Sequence, residues 1–423
     1  MDGLIILKGG RVIDPVNGRD EVADLWVTDG KIVASQAETP ADAKVIDATG
    51  CWVVPGLIDI HVHLREPGQE YKENVASGTQ AAAAGGFTAV ACMPNTTPVN
   101  DNGSVTRLIL ERAEGCAARV YPVGAISKGS KGESLADYAE MKEAGIVAVT
   151  DDGMPVVDSQ LMRRAMEYAA SHKLVVMSHS EEEALVRNGC MNEGLNSTRL
   201  GLRGIPAAAE SIMVYREVAL AELTGTHVHI AHVSCEDALA VIRLAKQRGV
   251  KVTAETAPHY FTLTDDAVLG YNTNAKMNPP LRSEKDREAI RAALADGTLD
   301  AIATDHAPHS VLEKELEFNY AANGITGLET SLSLTLELVR QGVITESRMV
   351  ELMSAGPAGI IGVEGGQLGE GAVADITVID PEMEYVFTAE ASFSKGKNSP
   401  FNETKMKGRA IMTLVDGEVK YRL

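Results

Sequence analysis

Cysteine is scarce in this chain, with five among 423 residues, at Cys51, Cys92, Cys116, Cys190 and Cys235. The number is odd, the spacing is scattered and no CxxC pair occurs, so a disulfide framework is excluded and a reducing cytoplasm is the expected location. Long apolar runs are missing as well. None approaches the ~20 uncharged residues that span a bilayer, and the start, Met1-Asp2-Gly3, has neither a basic n-region nor a long apolar h-region, so no membrane or targeting segment is expected. Positive charge is in deficit: the formal net charge is -20. That disfavours nucleic acid and anionic membrane as partners, yet leaves room for a small anionic substrate met by a few local side chains and a metal. A phosphate loop is absent too. Gly85-Gly86 precede a strand rather than open a helix, and no Lys-Ser/Thr follows.

What is present suits a globular enzyme: 45% hydrophobic and 23% charged residues, in a length that fits one large domain plus a smaller unit. Short strands are expected at Leu4 to Leu7, Arg11 to Ile13, Asp24 to Thr28, Lys31 to Ala34 and Lys44 to Asp47, with turns at Gly9-Gly10, Asp29-Gly30 and Ala48-Thr49-Gly50. The far end has the same texture, with Ala374 to Ile379 a strand and Asp416-Gly417 a hairpin turn between Ile411 to Val415 and Val419 to Leu423. Neither end makes a core alone, so one small β-domain built from both is expected, residues 1–53 with 365–423.

Between them, over 54–364, strands alternate with helices. Strands are expected at Val53 to Ile60, Thr88 to Cys92, Arg119 to Val123, Val147 to Thr150, Leu174 to Met177, Thr226 to Ile230, Lys251 to Glu255 and Ala301 to Ala303. Eight strand–helix units predict an α/β fold, a (β/α)8 TIM-type barrel. An open doubly wound sheet is the rival. The barrel is preferred because polar residues follow at least five strands, and a closed barrel brings all its strand C-termini to one mouth.

Those residues are His61 and His63 after the first strand, Asn95 after the second, Asp151-Asp152 after the fourth, His179 after the fifth, His232 after the sixth, and Asp305, His306 and His309 after the last. Imidazole and carboxylate suit zinc, and four imidazoles with two carboxylates can be shared between two ions that activate a bridging water. His172 and His227 read as structural or exposed, whereas His259 could orient the pocket. Cys92 and Cys235 also sit near strand ends, but a nucleophilic cysteine needs a dedicated base, and the histidines are better employed as ligands.

Five segments then carry a resemblance: His61-Val62-His63-Leu64-Arg65-Glu66-Pro67-Gly68, Met93-Pro94-Asn95-Thr96, Asp151-Asp152-Gly153, Asn278-Pro279-Pro280-Leu281-Arg282 and Asp305-His306-Ala307-Pro308-His309. Together they resemble bacterial dihydroorotase of the amidohydrolase superfamily, over essentially the whole chain. The resemblance implies a barrel with a small β-sandwich-like domain, one or two zinc ions per subunit, and a metal set of His61, His63, Asp152, His179, His232 and Asp305. Many amidohydrolases carry a carboxylated lysine after the fourth strand. Here Val147 to Asp152 contains none, which is similar to the long bacterial class with aspartate there and unlike hydantoinase. Asp152 is favoured because it precedes Gly153; Asp151 stays open as the alternative.

The implied reaction is reversible hydrolysis of dihydroorotate to N-carbamoyl-L-aspartate, with ring closure serving pyrimidine synthesis and Asp305 as catalytic acid–base. Arg65 is the implied fork for the substrate carboxylate, Asn95 and His309 complete its pocket, and Asn278 reads ring amide atoms. Backbone near Ala322 and Gly324 is implied in holding the ring, although relatives commonly carry proline at the position of Ala322. Ser310 to Phe318 is either a mobile cover or an ordinary surface loop, and Arg282 either a substrate contact or a rim salt bridge. A homodimer and association with aspartate transcarbamoylase are family expectations. The rivals are another cyclic amidase, such as a hydantoinase, and a metal-poor partner subunit.

Overall fold

Gly56 decides where one part of the molecule ends and the other begins. The apolar run around it, expected as one strand, is two: Trp52–Pro55 lies in the small sheet and Leu57–Val62 opens the barrel. A Cβ at Gly56 would run into Thr88, so the chain can cross between the two sheets only with glycine here. The computed structural model describes residues 3–36, 38–41 and 43–423; Met1-Asp2, on which the targeting expectation partly rests, lies outside them.

Eight parallel strands follow in chain order around the barrel: Leu57–Val62, Phe87–Cys92, Arg119–Gly124, Ala148–Val149, Val175–Ser178, Val228–Ile230, Val252–Thr256 and Ala301–Ile302. The first and last close through a parallel bridge between Val62 and His306, with the His63 N–H donating to the His306 carbonyl at 2.8 Å. The fold is therefore α/β, a (β/α)8 barrel with a separate sheet from both chain ends. Helices on the outside start and stop where side chains dictate. Asn74 and Ser77 form a capping box before Val75–Ala84, Asp158 caps Ser159–Ser171, and the left-handed Gly225 ends Ala208–Thr224. The helix Tyr138–Ala144 starts where Asp137 takes the N-cap, while Leu135 just before it bridges Ser127. Among the described residues no helix is long and apolar enough to cross a membrane.

The first barrel strand carries a bulge around His61. Asp59 pairs with Val90 and Val62 with Cys92, so one extra residue is inserted between them. The Asp59 carboxylate accepts the His61 N–H at 3.1 Å and the Thr304 N–H at 3.1 and 3.2 Å. It thereby satisfies backbone at the bulge and ties the first strand to the last.

The small sheet joins Ile5–Asp14, Arg19–Thr28, Lys31–Val33, Lys44–Asp47 and Trp52–Pro55 to Ile376–Phe387, Thr404–Val415 and Glu418–Arg422. Leu7, Val12 and Val27 from one end pack with Ile376, Met412 and Leu414 from the other. Gly9-Gly10, expected as a turn, lies inside one strand as a bulge between Leu7 and Gly10, where the Gly9 N–H finds the Asp24 carboxylate at 2.8 Å. Residues 394–398 leave this sheet altogether and reach the barrel mouth. Asn398 there accepts the His309 N–H at 2.9 Å and donates to the Ala307 and Gly324 carbonyls at 2.9 and 3.0 Å.

Candidate active site at the barrel mouth

The strand ends deliver four imidazoles and two carboxylates to one buried cluster. Asp152 sits at its centre, with Oδ1 3.3 Å from His61 Nε2, 3.8 Å from His179 Nδ1 and 3.6 Å from His232 Nε2, and Oδ2 3.5 Å from His63 Nε2. Asp305 Oδ1 lies 3.2 Å from His63 Nε2 and 3.6 Å from His61 Nε2. Two groups emerge in which all donor atoms fall within 4.8 Å, His61–His63–Asp152 and Asp152–His179–His232, and Asp152 belongs to both. Asp151 turns the other way and takes the Ser127 N–H at 3.0 Å together with its hydroxyl.

The other face of each ring sets its tautomer. His61 Nδ1 lies 2.7 Å from Glu255 Oε1, and His63 Nδ1 lies 2.9 Å from Asn95 Oδ1. Both acceptors call for a proton on Nδ1, which leaves the Nε2 lone pairs directed at the carboxylates. His61 Nε2 is buried and has no hydrogen-bond partner, as a ligand atom waiting for a cation would be. His179 Nδ1 and His232 Nε2 lie 2.8 Å apart, so these two nitrogens converge on one point as well. A borderline cation fits this donor set.

Electrostatics show how strongly the carboxylates pull positive charge, proton or metal, onto these nitrogens. Burial opposes protonation of His61, yet Asp152 and Asp305 outweigh it and hold its pKa well above the ordinary value. Burial pushes both carboxyls up, but the surrounding histidines prevail and hold Asp152 well below, and Asp305 below, the usual carboxylate range. The cluster thus holds two ionised carboxylates that draw positive charge onto the imidazoles facing them, where a metal cation takes the place of a proton.

Above it opens a cavity of about 190 Å³, lined by His63, Arg65, Asn95, Asp152, Asn278, Asp305, His309 and Gly324 among others, room for one small ring. Larger clefts of about 940, 580, 530 and 260 Å³ hold at most one histidine each, so chemistry and not size selects the site. Arg65 is 8% exposed and, among the described residues, has no carboxylate partner; its Nε donates to the Pro308 carbonyl at 3.2 Å and one terminal nitrogen lies 3.3 Å from His309 Nε2. Burial lowers its pKa to about 10, so the guanidinium stays charged at neutral pH. Arg65, His232 and Asp305 all adopt left-handed backbone, at φ of 61°, 36° and 47°, a conformation non-glycine residues keep only where the surroundings enforce it.

Other expected residues sit differently. Ala322 does not line the cavity: its N–H goes to the Glu313 carbonyl and its own carbonyl to Lys314, while the neighbouring Asn323 and Gly324 do line it. Arg282 is a rim element, bound to Ser234, Asn192, the Ile205 carbonyl and Glu210. His306 accepts the Gly327 N–H and faces Glu73, and buried His259 packs on Tyr260. Burial pushes the Cys92 thiol up to about 12 and the Cys235 thiol well above its ordinary value, so neither is a nucleophile. The 310–318 segment contains the short helix Val311–Lys314, whose Lys314 points inward to the Ala322 and Gly324 carbonyls at 2.8 and 3.0 Å. Sequence reasoning missed Glu255, His229 beside it at 3.2 Å, and Asp59; a carboxylate closing the seventh apolar run was the available signal for Glu255.

The comparisons with known proteins converge on the same chemistry. Residues 50–238 match the family described as dihydro-orotase-like, and residues 257–421 match the amidohydrolase family. A dihydroorotase of Desulfotalea psychrophila is 70% identical over 99% of both chains, and one of Geotalea daltonii is 59% identical over 99% of both. The chain belongs to the dihydroorotase family. Among solved structures, an L-hydantoinase (dihydropyrimidinase) from Arthrobacter aurescens aligns with a TM-score of 0.89 and 26% identity, covering 99% of this chain and 96% of that one. A dihydropyrimidinase from Brevibacillus agri aligns at 0.86 with 25% identity, covering 99% and 95%. This dihydroorotase-family member is therefore a hydrolase of the amidohydrolase superfamily, with two candidate cation groups sharing Asp152.

Proposed function

We propose that the chain catalyses the zinc-dependent, reversible hydrolysis of (S)-dihydroorotate to N-carbamoyl-L-aspartate, with ring closure feeding de novo pyrimidine (UMP) biosynthesis. The observation that carries this reading is Arg65, a buried guanidinium without a carboxylate partner that lines the cavity over the cation cluster. A buried cation left unpaired by its own chain asks for an anion from the ligand. Dihydroorotate combines such a carboxylate with a hydrolysable cyclic amide.

His61, His63, Asp152, His179, His232 and Asp305 would hold one or two zinc ions, since imidazole and carboxylate without thiolate suit that metal. Zinc so held polarises an amide carbonyl and eases deprotonation of water. The chain's own residues do the rest. Arg65 grips the carboxylate with two parallel N–H donors, with Asn95 and His309 at its sides, and this orients the ring amide over the cluster. Asp305 takes the proton of the attacking water on its carboxylate and returns it to the ring nitrogen as the C–N bond breaks. Cyclisation runs the same transfers backwards. His309 contributes as a neutral donor or acceptor, because burial, aided by Arg65, lowers its pKa to about 3.

The second reading, hydantoin or dihydropyrimidine hydrolysis, is favoured by the named activity of the structural neighbours. One experiment separates the two: turnover of dihydroorotate, hydantoin and dihydrouracil by one preparation whose metal content is measured. Preference for dihydroorotate supports the proposal. Equal or better turnover of the uncharged rings overturns it.

A further inference from the structure

A side-chain amide has two unlike ends, and which one faces a ligand decides what the ligand must offer. Asn278 lines the cavity from the segment between the seventh and eighth barrel strands. Its Nδ2 donates to Glu181 Oε2 at 2.8 Å, while its Oδ1 is buried with no hydrogen-bond partner. Glu181 comes from the loop after the fifth strand, two residues beyond His179, with its side chain 14% exposed. That carboxylate also faces His179 Nε2 at 3.8 Å, an ion-pair distance beyond hydrogen-bond reach, so its hydrogen bond among the described residues is the one from the asparagine.

An ionised carboxylate can only accept hydrogen bonds. Glu181 therefore tolerates the NH2 end of Asn278 and repels the carbonyl end, which fixes the amide against a flip. The oxygen is left without a donor on a side chain that lines the cavity, and a buried oxygen without a donor calls for one. We propose that Glu181 is a positioning residue that locks the Asn278 amide with its oxygen toward the substrate, so that Asn278 accepts a ring N–H of the cyclic amide. This rests on the dihydroorotase reading for the identity of the ring, and it adds a requirement that Arg65 does not impose: the ligand must carry an N–H, and not a carbonyl or N-alkyl group, opposite Asn278.

The test is a mutant cycle on the metal-loaded enzyme using Glu181→Leu, Glu181→Gln, Asn278→Ala and the Leu/Ala double variant. Loss of one neutral hydrogen bond that is equal in ground and transition states raises KM about tenfold and changes kcat less than about threefold. Glu181→Leu shows that split with unchanged metal content. Glu181→Gln recovers most of it, because its oxygen still accepts from Asn278. In the Asn278→Ala background Glu181→Leu adds less than about twofold, since no amide remains to be oriented. Effects that multiply fully, or a Glu181→Leu variant that loses metal, overturn the proposal and leave a structural role.

A second readout does not depend on turnover. With asparagine side chains labelled by nitrogen-15, the Asn278 amide proton facing a carboxylate resonates downfield in the native protein and moves in both Glu181 variants. An unmoved signal overturns the orientation whatever the substrate. Failure of the native enzyme to hydrolyse dihydroorotate, with the signal moving as expected, overturns the substrate reading alone.

Discussion

Glu255 Oε1 lies 2.7 Å from His61 Nδ1, on the side of the ring turned away from Asp152. Both residues are about 1% exposed, and the second Glu255 oxygen lies 3.2 Å from His229 Nε2. Burial alone would raise the Glu255 pKa, but His229 and His61 prevail and hold it down at about 2. The carboxylate is thus charged in the barrel interior, where it holds the His61 proton on Nδ1 and strengthens Nε2 as a donor to a cation.

Glu255→Gln should weaken zinc binding by about 10- to 100-fold, the usual effect of losing such a supporting carboxylate. Competition against a chromophoric chelator measures this without an activity assay. Native affinity in the variant would reduce Glu255 to a packing role.

The adjacent aspartates should separate cleanly. Asp152→Asn takes a charge from both candidate cation groups and should lose at least one metal equivalent, measured by elemental analysis. Asp151→Asn faces Ser127 instead, so it should retain metal and lose about 1–3 kcal/mol of stability in urea titrations, the cost of a damaged buried hydrogen bond. The reverse order of metal loss would mean that the wrong carboxylate has been placed at the centre.

This site was legible in the sequence because ligand-type residues interrupt apolar runs at strand C-termini, where a barrel collects them. His61, His63, Asp152, His179, His232 and Asp305 could each be named from that rule and the family motifs. What stayed hidden depends on partners far away in the chain. Asp59 reads as one polar residue in a strand until Thr304 is placed 3.1 Å from it, and Glu181 has no meaning before Asn278. Lys314 reads as surface charge. The structure buries it because carbonyls eight and ten residues onward need donors. The bulge that splits Asp59 from Val62 breaks simple alternation, which no period-two pattern can announce.

Arg65→Met should lower kcat/KM for dihydroorotate at least about thirtyfold, given ~2–5 kcal/mol for a buried charge-assisted contact. Metal content should not change, and an uncharged cyclic amide should lose much less. Equal proportional losses on charged and uncharged rings would remove Arg65 from carboxylate recognition.

Lys314 gives a prediction in pH. Burial, reinforced by Lys276, lowers its pKa from 10.5 to about 7. Between those values the unfolded chain holds a proton that the folded chain has released, so this group makes stability rise with pH, by at most about 1.4 kcal/mol per unit. The stability of native protein minus that of Lys314→Met, from urea midpoints, should therefore grow from about pH 7 to about pH 10. A flat difference would show that Lys314 does not titrate in this window.

Asp305→Asn separates cation binding from proton transfer. The amide keeps an oxygen near His63 and His61 but cannot accept a proton at neutral pH, and His61, His63, Asp152, His179 and His232 remain to bind metal. At matched metal occupancy kcat should fall by about 10²- to 10⁴-fold, the range for general acid–base assistance, in hydrolysis and in cyclisation alike, since both pass through one transition state. The pH profile carries the sign. Burial raises the Asp305 pKa, but His61 and His63 outweigh it and hold the carboxyl below its ordinary value. Activity and the stability due to this group are therefore present above the usual carboxylate range and are lost as pH falls through the lowered folded value. Native kcat/KM should show that acidic limb and Asp305→Asn should lack it. A fully metallated variant that kept native rates and the same limb would assign the proton to another group, and His309, whose Nδ1 is buried without a partner, would be the next side chain to replace.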